Sequence, residues 1–147
     1  MTDTKDISSQ DTQGTADSTG FTHRVRVRYG DCDMQGVVFN PNYFVYLDDT
    51  MAMWAEVALG PGFLDEFDYV VKKASLEWQA PARFRDVVEM RPEVTRWGRT
   101  SFDVAIRLSV DGRPIGVAEF VLISVEPGAH EPTPVPIPDK VRNALSS

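Results

Sequence analysis

Two carboxylates bracket the chain's single cysteine in the stretch Y-G-D-C-D-M-Q-G-V-V-F-N-P-N-Y, residues 29–43. Asp31 and Asp33 could act as acids, bases, nucleophiles or metal ligands, and Cys32 could act as a nucleophile. Gly36 follows them and permits a sharp turn, because glycine adopts backbone conformations that other residues avoid. The stretch therefore combines reactive groups with a residue suited to folding them into a tight loop.

Cys32 does not meet the usual requirements of a catalytic cysteine. Such a thiol needs a nearby base or a strongly electropositive setting. The chain has two histidines, His23 in a predicted strand and His130 in a proline-rich segment, and neither is placed to serve. The flanking acids would raise the pKa of the thiol. The pattern therefore favours Cys32 as a small, partly apolar spacer.

The segment D-C-D-M-Q-G-V-V also matches the first part of an EF-hand calcium loop, with acids at positions 1 and 3 and glycine at position 6. The match ends there, because position 12 is Asn42 instead of a bidentate glutamate. A predicted strand, rather than a helix, precedes the loop. We therefore expect no metal site.

A helix begins just after the loop, with Asn40 predicted as its N-cap and Pro41 at its first position. Its predicted apolar stripe spans Phe44–Ala58, and Gly60 followed by proline ends the helix after about 18 residues. The first N–H groups of a helix lack internal partners and favour negative charge. Asp33 precedes this helix start, so it could attack a polarised carbonyl or activate water beside it.

The rest of the chain reads as one long helix against a sheet. Segments with strand patterns span residues 21–29, 69–78, 87–97, 101–110 and 115–125, and Asp139–Leu145 has a short helical pattern. The order β-α-β-β-β-β predicts an α+β domain in which the helix packs on a mostly antiparallel five-stranded sheet. The last strand is apolar on both sides, which predicts a central position and a second sheet face covered by another subunit.

Composition sets broader limits. With 147 residues the chain fits one domain, over 21–126, between a disordered tail at 1–20 and an extended C-terminal segment at 127–147. The net charge of −7 disfavours nucleic acid as a partner. The sequence has neither an apolar run long enough for a membrane span nor the apolar segment of a secretory signal, so we expect a soluble cytoplasmic protein.

The stretch R-Y-G-D-C-D-M-Q-G-V-V-F-N-P-N-Y-F-V-Y-L-D resembles the signature of the hotdog-fold acyl-CoA thioesterases, the 4-hydroxybenzoyl-CoA thioesterase-like family. The later stretches L-E-W-Q-A-P-A-R-F-R-D-V-V, W-G-R-T-S-F and P-I-P agree with it. The resemblance covers about residues 21–142. It implies a hotdog domain that hydrolyses an acyl-CoA thioester to a free acid and coenzyme A, with no cofactor apart from the coenzyme A of the substrate.

The same resemblance implies a role for individual residues. It assigns catalysis to Asp33 and places the backbone N–H of Asn40 on the thioester carbonyl. It implies that Arg99, with Arg96 and Ser101, binds the nucleotide end of coenzyme A. Asp31 and Gly36 are expected to shape the loop. Another branch of the family uses an acid on the helix. The candidates for that role are Asp48, Asp49 and Glu56, but a solvated helix face explains the presence of these acids more simply.

Several alternatives stay open at this point. A hotdog domain could bind acyl-CoA without turnover. It could also hydrolyse the thioester of an acyl-carrier protein, which would dock on Arg24, Arg26 and Arg28. A cone of the NTF2 type is a weaker alternative fold, since its helices come first in the chain. The resemblance also implies a homodimer or homotetramer with active sites between subunits. Whether Asp33 acts as nucleophile or general base, and on which acyl group, is left undecided.

Overall fold

The computed structural model describes residues 12–17 and 20–146. In this part of the chain, the strands are β1 Thr12–Asp17, β2 Gly20–Arg26, β3 Asp68–Trp78, β4 Val87–Trp97, β5 Ser101–Val110 and β6 Arg113–Val125. The helices are α1 Asn42–Leu59 and α2 Asp139–Leu145. Single 3-10 turns lie at Tyr29–Asp31 and Phe63–Asp65.

All the strands pair antiparallel in one sheet, in the spatial order β1-β2-β4-β5-β6-β3. The predicted order β-α-β-β-β-β is confirmed for the five strands from β2 onward. β6 lies between β5 and β3, as its apolar sequence predicted, and β3 is an edge strand. No helix among the described residues is long and apolar enough to cross a membrane.

The predicted disordered tail at 1–20 is wrong for residues 12–17, which form β1. This strand pairs with β2 from Thr12 opposite Val25 to Asp17 opposite Gly20. Residues 1–11, 18 and 19 lie outside the described residues. The prediction failed because it counted apolar side chains, whereas an edge strand can be held by backbone hydrogen bonds to its neighbour.

Helix α1 has the predicted length of 18 residues but starts at Asn42, so Asn40 is not its N-cap. Its buried face is also rotated from the predicted stripe. Tyr43 and Tyr46 are buried along with Leu47 and Met51, whereas Phe44, predicted to face the core, is 36% exposed. Gly60 ends the helix as predicted, with its N–H donating to the carbonyl of Glu56 and a positive φ of 86°.

The core lies between α1 and one face of the sheet. Alternate residues of β5, from Phe102 to Val110, are buried on this face, and so are alternate residues of β6 from Ala118 to Leu122. The alternating sequence of β5 therefore points its large apolar side chains at the helix, and β6, whose sequence is apolar on both sides, presents one of its two apolar faces to the same core.

The first predicted strand ends earlier than expected, at Arg26 instead of Tyr29. The chain continues beside the segment before β4, where the N–H of Val27 donates to the carbonyl of Asp86 at 2.8 Å. Tyr29 then leaves the sheet and is 83% exposed. This departure starts the loop that connects β2 to α1.

His23 is buried beneath α1 with one ring nitrogen satisfied. Its Nδ1 lies 2.8 Å from Oγ1 of Thr50, and that hydroxyl donates to the carbonyl of Tyr46. The hydroxyl therefore accepts from an Nδ1–H, and Nε2 has no partner among the described residues. Burial lowers the pKa of His23 below its usual value near 6.5, and the charge of Asp49 raises it by less. The folded protein thus favours neutral His23.

We expect His23 to destabilise the fold in acid. Below pH 6.5 the unfolded chain binds the proton more readily than the folded one, so the free energy of unfolding falls as the pH falls. A single histidine such as His23 can change the free energy of unfolding by at most about 1.4 kcal/mol per pH unit. In urea unfolding experiments, the free energy of unfolding should fall less between pH 7.5 and pH 5.5 for His23→Gln than for the wild type. His130→Gln, which changes the exposed histidine, should behave as the wild type. Equal losses in all the proteins would contradict this assignment.

Candidate active site

A tight turn at the centre of the β2–α1 loop holds Asp33. The N–H of Asp33 donates to the carbonyl of Val37 at 2.9 Å, and the N–H of Gly36 donates to the carbonyl of Asp33 at 3.0 Å. Gly36 has a φ of 78°, the left-handed region that glycine adopts without strain. Cys32 and Val38 form a bridge on either side. The loop is therefore a short hairpin with Asp33 at its turn.

Asp31 joins this loop to the start of α1. One carboxylate oxygen, Oδ2, accepts from the hydroxyl of Tyr46 at 2.7 Å and from the N–H of Arg28 at 3.0 Å. The backbone carbonyl of Asp31 accepts from the N–H of Phe39 and from Nδ2 of Asn42, both at 2.9 Å. Burial and the hydrogen bond to Asp31 raise the pKa of Tyr46, so its hydroxyl stays a donor.

Asp33 is the less engaged of the two acids. Its Oδ1 accepts from the N–H of Gln35 at 2.8 Å, an arrangement that is common for aspartate in turns. Its Oδ2 has no partner in the described part of the chain, and the side chain is half-buried. The carboxylate of Asp33 is therefore fixed by one oxygen and can present the other to a ligand.

The helix start offers one free donor, not the several that the sequence predicted. Asn42, Tyr43 and Phe44 donate their N–H groups to the carbonyls of residues 39, 40 and 41. Pro41 has no N–H. The N–H of Asn40 has no acceptor among the described residues, and Asn40 is exposed. The preceding residue, Phe39, donates its own N–H to the carbonyl of Asp31. This hydrogen bond helps to fix the orientation of the peptide N–H of Asn40.

A cavity of about 370 Å³ opens beside Asn40. Its lining residues are Val37, Val38, Asn40, Tyr43, Trp78, Gln79, Ala80 and Pro81. The rings of Tyr43 and Trp78 meet edge-on at 5.8 Å, and the hydroxyl of Tyr43 accepts from the N–H of Ala82 at 2.9 Å. A mostly apolar pocket with one free N–H at its wall suits an apolar group attached to a carbonyl.

The other reactive side chains near the loop are less suited to catalysis. Burial, followed by the charges of Asp31 and Asp33, raises the pKa of Cys32, so its thiol is a weak nucleophile. The acids on α1 that were candidates, Asp48, Asp49 and Glu56, are exposed. Among the described residues, no group of three or more His, Cys, Asp or Glu could hold a metal ion.

The predicted nucleotide-binding residues lie away from this loop. Arg96 forms a two-point contact with the carboxylate of Asp103, at 2.9 and 3.0 Å, and also donates to the hydroxyl of Ser101 at 2.9 Å. Arg99 is exposed, and its guanidinium has no partner in the described chain. The loop meets β4 at its start, Val87, and Arg99 follows its end, so roughly 33 Å of strand separates them.

Two contributors to the site were missed by sequence reasoning. Tyr46 was not included in the apolar stripe of the helix, and Asn42 was noted only for failing the calcium pattern. The spacing of four between them places both on one side of the first turns of α1, which is the only sequence signal that could have paired them.

The model of the thioesterase superfamily matches residues 35–116 of the chain. The acyl-CoA thioester hydrolase YbgC of Escherichia coli is 28% identical over 126 residues, which cover 81% of this chain and 92% of that protein. The 1,4-dihydroxy-2-naphthoyl-CoA hydrolase of Synechococcus elongatus is 27% identical over 116 residues, covering 75% and 85%. The superfamily match begins at Gln35, so it does not include Asp31 and Asp33.

A solved structure, that of a gentisyl-coenzyme A thioesterase, superposes with a TM-score of 0.73 at 24% identity. The match covers 84% of this chain and 98% of that one. At this identity the likeness concerns the fold, which is the hotdog that the sequence predicted.

We expect Tyr46→Phe to lower the turnover number for thioester hydrolysis roughly tenfold while leaving KM almost unchanged. The substitution removes a hydrogen bond to a charged group, which is worth about 1.5–3 kcal/mol, and frees the loop that carries Asn40. Steady-state kinetics with one acyl-CoA at several concentrations would measure both constants.

Tyr43→Phe is the matched control, since it removes a hydroxyl from the same helix that bonds Ala82 instead of Asp31. Tyr43→Phe should lower thermal stability at least as much as Tyr46→Phe does, but it should lower the turnover number less. Equal loss of turnover in the two variants would contradict a positioning role for Tyr46.

Proposed function

The chain belongs to the thioesterase superfamily and is a thioester hydrolase; we propose that its substrate is an acyl-CoA, which it converts to a free acid and coenzyme A. The observation that carries this proposal is the pair of unsatisfied groups on one short loop, a carboxylate oxygen of Asp33 and the N–H of Asn40. The cavity beside Asn40 would take the acyl group. The names of the relatives from Escherichia coli and Synechococcus elongatus support a CoA thioester.

In this proposal, the N–H of Asn40 donates to the thioester oxygen and stabilises the negative charge that develops there. The free oxygen of Asp33 either attacks the carbonyl carbon or takes a proton from the water that attacks it. Either route adds water across the C–S bond and releases a carboxylic acid and a thiol. The proposal does not depend on which role the carboxylate takes.

The leaving group explains why the site could work without a strong general acid. A thiol has a pKa of about 8.5, so its thiolate leaves without prior protonation. We propose that the reaction therefore needs no cofactor or metal. The neutral Cys32 thiol and the buried His23 have no part in it.

We further propose that the active enzyme is a dimer formed through β3. This strand has 11 residues and an unpaired outer edge in the described chain, and such edges readily pair with another strand. Antiparallel pairing of two copies would set Asp68 of one strand near the Trp78 end of the other. It would bring the partner's turn after β4, with Arg99, toward this chain's Asp33.

The nucleotide end of the substrate would then be bound by the second subunit. Arg99 is the free cation of its turn, whereas Arg96 is held by Asp103 and Ser101 and supports the turn. The C-terminal segment also supports this turn, because the N–H of Ile137 donates to the carbonyl of Arg99 at 2.9 Å.

We expect Asp33→Asn to lower kcat by a factor of about 10²–10⁴, the range for loss of a general base, with the fold intact. The release of thiol from an acyl-CoA panel, followed with a thiol-reactive dye, would measure this. Asp48→Asn removes the same charge from the exposed face of α1 and should leave kcat unchanged. Retained activity in Asp33→Asn would refute the assignment, and acyl-CoA binding without thiol release in the wild type would favour a binding module.

We expect Arg99→Gln to raise KM for an acyl-CoA about tenfold, because one charge-assisted phosphate contact is lost. The same variant should hydrolyse the acyl-pantetheine, which lacks the nucleotide, at the wild-type rate. Arg91→Gln, which changes another exposed arginine, should affect neither substrate. A rise in KM for both substrates would argue against a nucleotide contact.

A further inference from the structure

The turn between β4 and β5, residues 98–100, carries Arg99 and depends on hydrogen bonds from the C-terminal part of the chain. Within the turn, the N–H of Gly98 donates to the carbonyl of Ser101 at 2.7 Å. The carbonyl groups of Gly98 and Arg99 instead accept from residues that follow β6, namely Ile137 and Arg142. The conformation of the turn is therefore set partly by residues far away in the sequence.

Arg142 of helix α2 reaches both of these carbonyl groups. Its Nη2 donates to the carbonyl of Gly98 and lies 3.4 Å from the carbonyl oxygen of Arg99. The carbonyl of Arg99 also accepts from the N–H of Ile137 at 2.9 Å. The guanidinium carbon of Arg142 lies 5.5 Å from the centre of the Trp97 ring, within the range of a cation–π contact. Arg142 thus connects α2 with the end of β4 and with the turn.

These contacts fix the backbone on both sides of Arg99. The carbonyl of Gly98 belongs to the peptide group before the α-carbon of Arg99, and the carbonyl of Arg99 belongs to the peptide group after it. Because each peptide group is planar, holding both groups sets the two backbone dihedral angles of Arg99 and the direction of its bond from Cα to Cβ. The guanidinium of Arg99 is exposed and has no partner in the described chain. The backbone therefore determines where this side chain starts and in which direction it leaves the turn.

Helix α2 is a firm base for Arg142. Val141 and Leu145 are buried in the core, on either side of Arg142 in the sequence. At the end of the helix, the indole N–H of Trp97 donates to the hydroxyl of Ser146 at 3.1 Å. Arg142 itself is half-buried. Its guanidinium is thus held by an element that is packed against the rest of the domain.

The turn has little space in which to adopt another conformation. A Cβ atom at Gly98 would lie 2.8 Å from Nη1 of Arg96 and 2.9 Å from the carbonyl oxygen of Ser101, both closer than such contacts allow. Arg96 is in turn fixed by its two-point contact with Asp103. The turn is therefore a preformed structure to which Arg142 contributes the contacts from α2.

We propose that Arg142 is a positioning residue, which orders the β4–β5 turn so that Arg99 is in place for the phosphates of coenzyme A. This inference rests on the proposed function, in which Arg99 binds the nucleotide end of the substrate. An arginine that is ordered before the substrate arrives loses less conformational entropy on binding, so affinity rises without a new contact to the substrate. In the proposed dimer, the C-terminal helix of one subunit would then serve the active site of its partner.

The first test compares the full-length wild type with Arg142→Met and with the matched control Lys140→Met. Lys140 lies on the same helix but contacts Glu66 at 3.0 Å instead of the turn. We expect Arg142→Met to raise KM for an acyl-CoA about fivefold, the effect of losing one hydrogen bond, with kcat unchanged. Lys140→Met should leave KM unchanged. With the acyl-pantetheine, which lacks the nucleotide, all three proteins should have the same KM and kcat.

A double variant tests whether Arg142 acts through Arg99. If it does, Arg99→Gln/Arg142→Met should have the same KM for the acyl-CoA as Arg99→Gln alone, because the contact that Arg142 supports is already lost. A general structural role of Arg142, or a contact of its own with the substrate, would make the two increases in KM multiply.

The proposal is overturned if Arg142→Met leaves KM for the acyl-CoA unchanged, if the effects of the two substitutions multiply, or if Arg142→Met is equally impaired with the acyl-pantetheine. If the wild type releases thiol from no substrate, the proposed function fails instead. Isothermal titration with coenzyme A itself would then decide the role of Arg142. Binding about fivefold weaker in Arg142→Met than in the wild type and Lys140→Met would support the role, and equal binding in all three proteins would refute it.

Discussion

The hydrogen bonds of Asp31 are the constraint on which the site depends. Four donors converge on this one residue: the N–H groups of Arg28 and Phe39, the amide of Asn42 and the hydroxyl of Tyr46. They tie both ends of the loop to the first turns of α1. Two of the donors bond the charged carboxylate and two bond the backbone carbonyl. Because opening the loop would break all four hydrogen bonds, the loop keeps one geometry. That geometry leaves an oxygen of Asp33 and the N–H of Asn40 free, which are the two groups that thioester hydrolysis would use.

Sequence periodicity predicted the elements well, because α1, β5 and β6 bury regular faces. The bounds of β5 and α2 coincide with the prediction. The prediction failed where backbone bonding decides the structure. β1 pairs along β2 with few apolar side chains, and α1 starts late because Pro41 and its neighbours first form a tighter turn. The pairing of Tyr46 with Asp31 could not be predicted, since no periodic pattern relates residues 15 positions apart.

The position of β4 is the reason why the proposed function calls for two subunits. This strand runs from the loop that carries Asp33 to the turn that carries Arg99, so the two predicted halves of the substrate site lie at opposite ends of the sheet. Pairing of β3 edges would bring one half of each site from each subunit.

The central claim is that Asn40 and Asp33 face the same carbonyl group. A crystal structure with an inert acyl-CoA analogue, in which a methylene replaces the thioester sulfur, would test it most directly. We predict that the ketone oxygen lies within about 3 Å of the backbone nitrogen of Asn40, with the free oxygen of Asp33 beside the ketone carbon. A ketone bound away from Asn40, or an Asp33 carboxylate turned from the carbonyl while Asp31 keeps its bonds, would contradict the account.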